Sequence, residues 1–253
     1  MSGIAKPSEP WMQTANEVAQ RRELSYGWAA ESELILRTAI EAFLRERMPT
    51  ARLCHEMVMG AQTVRADVVA IAPEHMAAVE VKGAGDNTTR LLHQVGMFQL
   101  CVPEVWVITS QRHRADASLI RHLLPSVGLI VATNMDRDWL RRRYGPLAPL
   151  EFEIVAEPEP REPVLRMALE MLWRDELEAV CHILRVGANT RSTRAAMIRD
   201  IQALVEREAI FPAIYAALRS RDAQWRADKP IPLDVPRLSK VLQNELPGLG
   251  AAS

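Results

Sequence analysis

The sequence predicts an α/β protein in which helices flank a mixed β-sheet, with a helical region following toward the C-terminus. Strand-like apolar runs occupy about 52–59, 64–71, 76–82, 105–109 and 128–133. Helical periodicity occupies 30–47, 88–100 and 115–124, so the elements alternate in the order α-β-β-β-α-β-α-β. Composition agrees: 48% apolar and 25% charged residues over 253 positions suffice for a sizeable buried core.

Each element carries its own signal. The first helix, AESELILRTAIEAFLRER, ends at Met48-Pro49, where proline disfavours continuation. The strands at 64–71 and 76–82 flank APEH, a suitable tight connection for a hairpin. The helix over 88–100 follows Asp86 and Asn87, either of which suits its N-cap. VWVIT (105–109) reads as a buried strand, and GLIVAT (128–133) as another.

Residues 1–28 are polar and irregular, an arm with a helical stretch between Thr14 and Leu24, and the core domain spans 29–150. EFEIVAEPEPREP (151–163), with five glutamates and three prolines, has the composition of a stiff acidic linker. Residues 164–253 are helix-rich as far as about 226 and proline-punctuated beyond.

Net charge is −1, so no overall field selects nucleic acid or a membrane surface, although local patches still can. Cys54, Cys101 and Cys181 are far apart and lack metal-ligand spacing, which suits reduced thiols in a cytoplasmic protein. The N-terminus shows no secretory signal pattern, and no apolar run approaches a membrane span, so no membrane partner is expected. Lysine is rare, four residues against 27 arginines, which makes Lys82 notable.

The chemistry concentrates around VEVKGAGDNTTRLLHQVGMF (79–98). Glu80 and Lys82 are two apart on one strand and emerge on the same face. Asp67, on the preceding strand, comes alongside Glu80 across a hairpin of this length. Two carboxylates about 4 Å apart repel by roughly 4 kcal/mol at an effective dielectric near 20. Lys82 offsets part of that, and a divalent cation offsets more. Oxygen ligands with open positions suit Mg²⁺ or Mn²⁺. An ordinary hairpin ion pair is the plainer alternative.

Glu33 shares a helical stripe with Leu36, Ile40 and Leu44 and should face the sheet, the alternative being a surface pair with Arg37. Asp86, Arg90, Gln94 and Phe98 recur every four residues and should share one face bordering the same site. The six histidines show no zinc-type spacing, and His93 should point away from Gln94's side of its helix. The glycines of GAGD read as a sharp turn from strand to helix. HILRVGANTRSTRAAMIRDIQAL has the look of two helices joined by a turn, so Arg191, Arg194 and Arg199 are candidate DNA contacts, with a solvated arginine face as the alternative. The basic run RDWLRRR (137–143) suits either a phosphate patch or a solvated helix end.

Glu33, Asp67, Glu80-Val81-Lys82 and Gln94-Val-Gly-Met-Phe98, in this order, resemble the PD-(D/E)xK nuclease superfamily over about residues 30–133. The chain is also similar to an uncharacterised bacterial group within it. The resemblance implies a restriction-endonuclease-like fold and Mg²⁺- or Mn²⁺-dependent hydrolysis of phosphodiester bonds, most readily in DNA, by an enzyme of bacterial or phage type. It makes Asp67, Glu80 and the Val81 carbonyl metal ligands, Glu33 an accessory ligand, and Lys82 the catalytic lysine. Gln94, with Arg90 and Asp86, would organise the site or bind substrate. Ala66 stands where the superfamily name has proline, and Phe98 where a tyrosine is common. A non-catalytic nucleic-acid-binding or regulatory module retaining the fold is the alternative, as is an interaction protein within a larger complex. Homodimer and protein complex both stay open.

Overall fold

The computed structural model describes residues 10–14, 28–61, 63–135, 150–187, 192–222 and 227–233. Within them the chain runs α1 (Trp28–Arg47), β1 (Arg52–Met59), β2 (Val64–Ile71), β3 (Met76–Lys82), α2 (Leu91–Cys101) and β4 (Glu104–Ser110). After one 3-10 turn come α3 (Arg114–Leu123), β5 (Gly128–Ala132) and β6 (Phe152–Ala156). Four helices follow: α4 (Leu165–Glu170), α5 (Arg174–Ile183), α6 (Arg194–Leu204) and α7 (Arg207–Ser220).

The strands form one six-stranded mixed sheet in the order β1-β2-β3-β4-β5-β6. β1, β2 and β3 make an antiparallel meander, β3, β4 and β5 are parallel, and β6 returns antiparallel to β5. The parallel pairs require crossovers, which α2 and α3 supply. β4 and β5 are buried along their whole lengths, as their continuous apolar runs require in a sheet covered on both faces.

Alternation along β3 divides the core. Ala77, Val79 and Val81 pack with Leu36, Ile40 and Leu44 of α1, whereas Met76 and Ala78 pack beneath Leu91, Val95 and Phe98 of α2. The C-terminal helices contribute to this second cluster through Leu169, Val180, Ile201 and Ile214. They therefore share a core with the sheet.

Three expectations on organisation change. The acidic stretch 151–163 is no free linker: Phe152–Ala156 is the sixth strand, and the Glu159 and Arg161 amides donate to the carbonyls of Ser126 and Pro103. The arm is anchored where it is described, because Trp11 is buried against Phe43 and Phe152, at ring separations of 5.4 and 5.1 Å. The helix expected from residue 88 begins at Leu91, and neither Asp86 nor Asn87 caps it. Most of the helix expected between Thr14 and Leu24, the basic run 137–143, and the stretch from 234 on lie outside the described residues. No helix among the described residues is long and apolar enough to cross a membrane.

Candidate active site

The hairpin builds the site. β2 and β3 pair from Ile71↔Met76 to Val68↔Val79, and the same register carried one step further sets Asp67 opposite Glu80. There the Asp67 side chain enters the space between the strands: its Oδ2 accepts from the Val81 amide at 2.7 Å. Glu80 and Lys82, on one face of β3, pair with each other at 2.7 Å between Nζ and Oε1.

Glu80 is only 2% exposed, and its second oxygen, Oε2, is buried without a hydrogen-bond partner. A buried acceptor left unmade costs about 1–3 kcal/mol or more when charged, so such an atom calls for an explanation. Burial and the neighbouring Asp67 push the Glu80 carboxyl up to about 7, against the opposing pull of Lys82 and Gln94. Burial likewise raises Asp67 to about 6, opposed by the Val81 amide and Arg37.

On the other side stands Arg37, a buried guanidinium absent from the expected site. Its Nη1 donates to the Asp67 carbonyl at 3.0 Å, and its Nη2 lies 2.7 Å from Glu33 Oε1, 3.2 Å from Glu56 Oε1 and 3.4 Å from Asp67 Oδ1. Glu33 thus does pair with Arg37 at i+4, yet the pair borders the site and is no surface ornament. Glu56 was also missed. Strand register offers the signal: β1 and β2 pair with residue numbers summing to 123, which sets Glu56 opposite Asp67.

A cleft of about 520 Å³ gathers these groups, lined by Glu33, Glu56, Arg65, Asp67, Glu80, Val81 and Lys82 from the first helix and the sheet. Asp86, Asn87, Arg90, His93 and Gln94 line it from the turn and α2. Asp86, Arg90 and Gln94 accordingly reach the site as expected, though Asp86 does so from the turn, where its Oδ2 accepts from the Gly83 amide at 2.7 Å. Two expectations fail. His93 lines the cleft beside Gln94, and Phe98 is fully buried in the core, away from it. At Phe98 the helix has turned inward, and its packing needs a bare ring.

The turn after β3 is pinned by the Ala84 amide on Ser32 Oγ at 2.8 Å and by Arg112 on the Ala84 carbonyl at 2.8 Å. Gly83 serves close approach here, because a Cβ would meet Ser32 Oγ at 2.7 Å and the Glu33 amide nitrogen at 2.8 Å. Gly83→Ala is expected to force α1 away from β3, lowering stability by about 1–3 kcal/mol in thermal unfolding. A variant as stable as the wild type would show that α1 yields freely.

Of the candidate DNA contacts, Arg194 and Arg199 line one surface pocket on α6. Arg194 Nη2 donates to the carbonyls of Glu170 and Leu172 at 3.2 and 2.8 Å, so its guanidinium ties α6 to the end of α4. Arg199 pairs with the adjacent Asp200 at 2.8 Å, and Arg191 lies outside the described residues. α5 ends at Ile183 and α6 begins at Arg194, with 188–191 outside the described residues.

A divalent cation fits the donor set. Asp67 Oδ2 is fixed by the Val81 amide at 2.7 Å and its Oδ1 lies 3.4 Å from Arg37, while Glu80 Oε1 is held by Lys82 at 2.7 Å and Glu80 Oε2 is left over. Among the described residues no three His, Cys, Asp or Glu side chains are grouped to hold a metal by themselves. A site of two carboxylates completed by a carbonyl, water and substrate oxygen is the pattern Mg²⁺ accepts.

The family model for bacteriophage P4 protein cII matches residues 29–230. The chain belongs to that family. The matched region of this family member starts at α1 and runs past α7, so it takes in the cleft, the whole sheet and the C-terminal helices together. No curated protein and no solved structure matches the chain.

Proposed function

We propose that this member of the P4 cII family is a metal-dependent nuclease of PD-(D/E)xK type, with a restriction-endonuclease-like sheet, that hydrolyses phosphodiester bonds, most readily in DNA. The observation that carries the reading is the buried, half-satisfied Glu80 beside Asp67 and Lys82 in one open cleft. The α-β-β-β-α-β order and the change from antiparallel to parallel pairing at β3 support the fold assignment.

Asp67, Glu80 and the Val81 carbonyl would hold Mg²⁺ or Mn²⁺, with Glu33 close enough to the cleft to act on a coordinated water. Such a cation supplies Lewis acidity toward the phosphodiester. Lys82 uses one of its three donors on Glu80, which leaves two for the attacking water and the developing phosphate charge. The Val81 amide and Arg37 hold Asp67 in place, and Gln94 of α2 lines the cleft with Glu80. Arg90 and Arg65 stand on the cleft wall, where cations can meet flanking phosphates.

The test is cleavage of single-stranded, duplex and branched DNA and of RNA with Mg²⁺ or Mn²⁺ and with chelator. Cation-dependent cleavage is expected, with Lys82→Ala reducing its rate by about 10²-fold. A wild type inert on every substrate defeats the proposal, as does cleavage that Lys82→Ala leaves unchanged. Tight DNA binding without cleavage would favour the non-catalytic reading instead.

A further inference from the structure

In the middle of β1 the backbone departs from strand geometry at one residue. Glu56 has φ of 53°, the left-handed region that a glutamate rarely occupies and that a strand does not use. The pairing of β1 with β2 continues on both sides in unchanged register, and Glu56/Asp67 is the position where it lapses. No residue has been inserted, so this is no bulge. The strain is local, and it falls directly opposite a residue of the site.

Its consequence is visible in the side chain. Glu56 Oε1 lies 3.2 Å from Arg37 Nη2, and Oε2 lies 3.6 Å from Arg65 Nη1. Arg37 is the group that also meets Asp67 through both its carbonyl and its carboxylate. Glu33 reaches Arg37 from one helical turn earlier on α1, whereas Glu56 reaches it from the neighbouring strand. Two carboxylates on different elements thus fix the direction of a planar guanidinium that has little freedom left. A strained residue persists only where its surroundings hold it, and such residues cluster at functional sites.

We propose that Glu56 is a positioning residue of the cleft, held in a left-handed conformation so that its carboxylate fixes Arg37 and, through Arg37, the orientation of Asp67. The proposal deepens the nuclease reading and rests on it for its catalytic consequence. Glu56 itself need not touch substrate.

The experiment compares the wild type with Glu56→Asn and Glu56→Gln. Asparagine tolerates the left-handed region, so it removes the charge while easing the backbone; glutamine removes the charge and keeps the strain. Side-chain ¹⁵N NMR of Arg37, assigned by its loss in Arg37→Lys, reports on the guanidinium without any need for activity. Resolved, slowly rotating Nη signals are expected in the wild type, and averaged ones in both variants. The cleavage rate constant kcat should fall about 10- to 100-fold with KM for DNA unchanged, since displaced reacting groups cost on that order. Arg37 signals that stay resolved in the variants overturn the proposal, as does an unchanged kcat. If the wild type cleaves nothing, the nuclease reading fails on its own, and the NMR comparison alone decides whether Glu56 positions Arg37: averaging upholds it and persistence overturns it.

Discussion

Glu80→Gln is expected to lose cation-dependent cleavage by at least about 10³-fold while making the folded protein more stable. The two effects have one origin. Glu80 is 2% exposed, next to a second carboxylate, and has one oxygen unpartnered, so its negative charge is expensive where it sits. Glutamine keeps the shape and removes the charge. The expected gain at pH 8 without added metal is about 1–2 kcal/mol, part of the relief being offset by the Lys82 ion pair that is lost.

Burial of these two carboxyls also makes stability depend on pH. The Glu80 carboxyl rises from 4.5 unfolded to about 7 folded, and Asp67 from 3.8 to about 6. Between these values the folded state binds more protons than the unfolded state, so stability falls as pH rises from about 4 to about 7. Unfolding in chelator across that range should show the decline in the wild type and a shallower one in Glu80→Gln. A wild-type stability that rises with pH over this window would contradict the burial of these charges.

The second large effect is purely structural. Arg52→Met is expected to lower stability by about 3–5 kcal/mol, which for a chain of this length is on the order of 10 °C in Tm. Arg52 begins β1 and is 1% exposed. Its Nε donates to the Asp228 carbonyl at 3.0 Å, and the two hydrogens of Nη1 are shared among the carbonyls of Leu218 at 3.2 Å, Arg219 at 3.0 Å and Arg221 at 2.6 Å. Three of these acceptors close the C-terminal end of α7, so one side chain locks the last helix to the first strand. Methionine fills comparable space and leaves the carbonyls without their donor. Thermal unfolding within 1 kcal/mol of wild type would show that water satisfies them equally well.

What the sequence revealed of this architecture follows the physics of each element. Short apolar runs located the strands, and the length of APEH fixed the register that brings Asp67 opposite Glu80. The parity of Glu80 and Lys82 put them on one face. Those features are local. β6 escaped because its five residues sit among glutamates and prolines and are half-buried at the sheet edge. Trp11 escaped because its burial depends on Phe43 and Phe152, far away in sequence. Asp86 has the chemistry of an N-cap but spends its carboxylate on the turn at Gly83, three residues back. Arg37 and Glu56 could not be read from composition at all. An arginine at i+4 from a glutamate looks like a surface pair until tertiary packing buries it, and nothing in HEMVM announces a left-handed backbone.

Calorimetric titration of metal-free protein with Mn²⁺ decides whether Asp67 and Glu80 form a cation site. The wild type should bind the ion, and Asp67→Asn and Glu80→Gln should each abolish that binding while remaining folded. A wild type that takes up no Mn²⁺, or variants that bind it as tightly as the wild type, would show that these two carboxylates hold no cation.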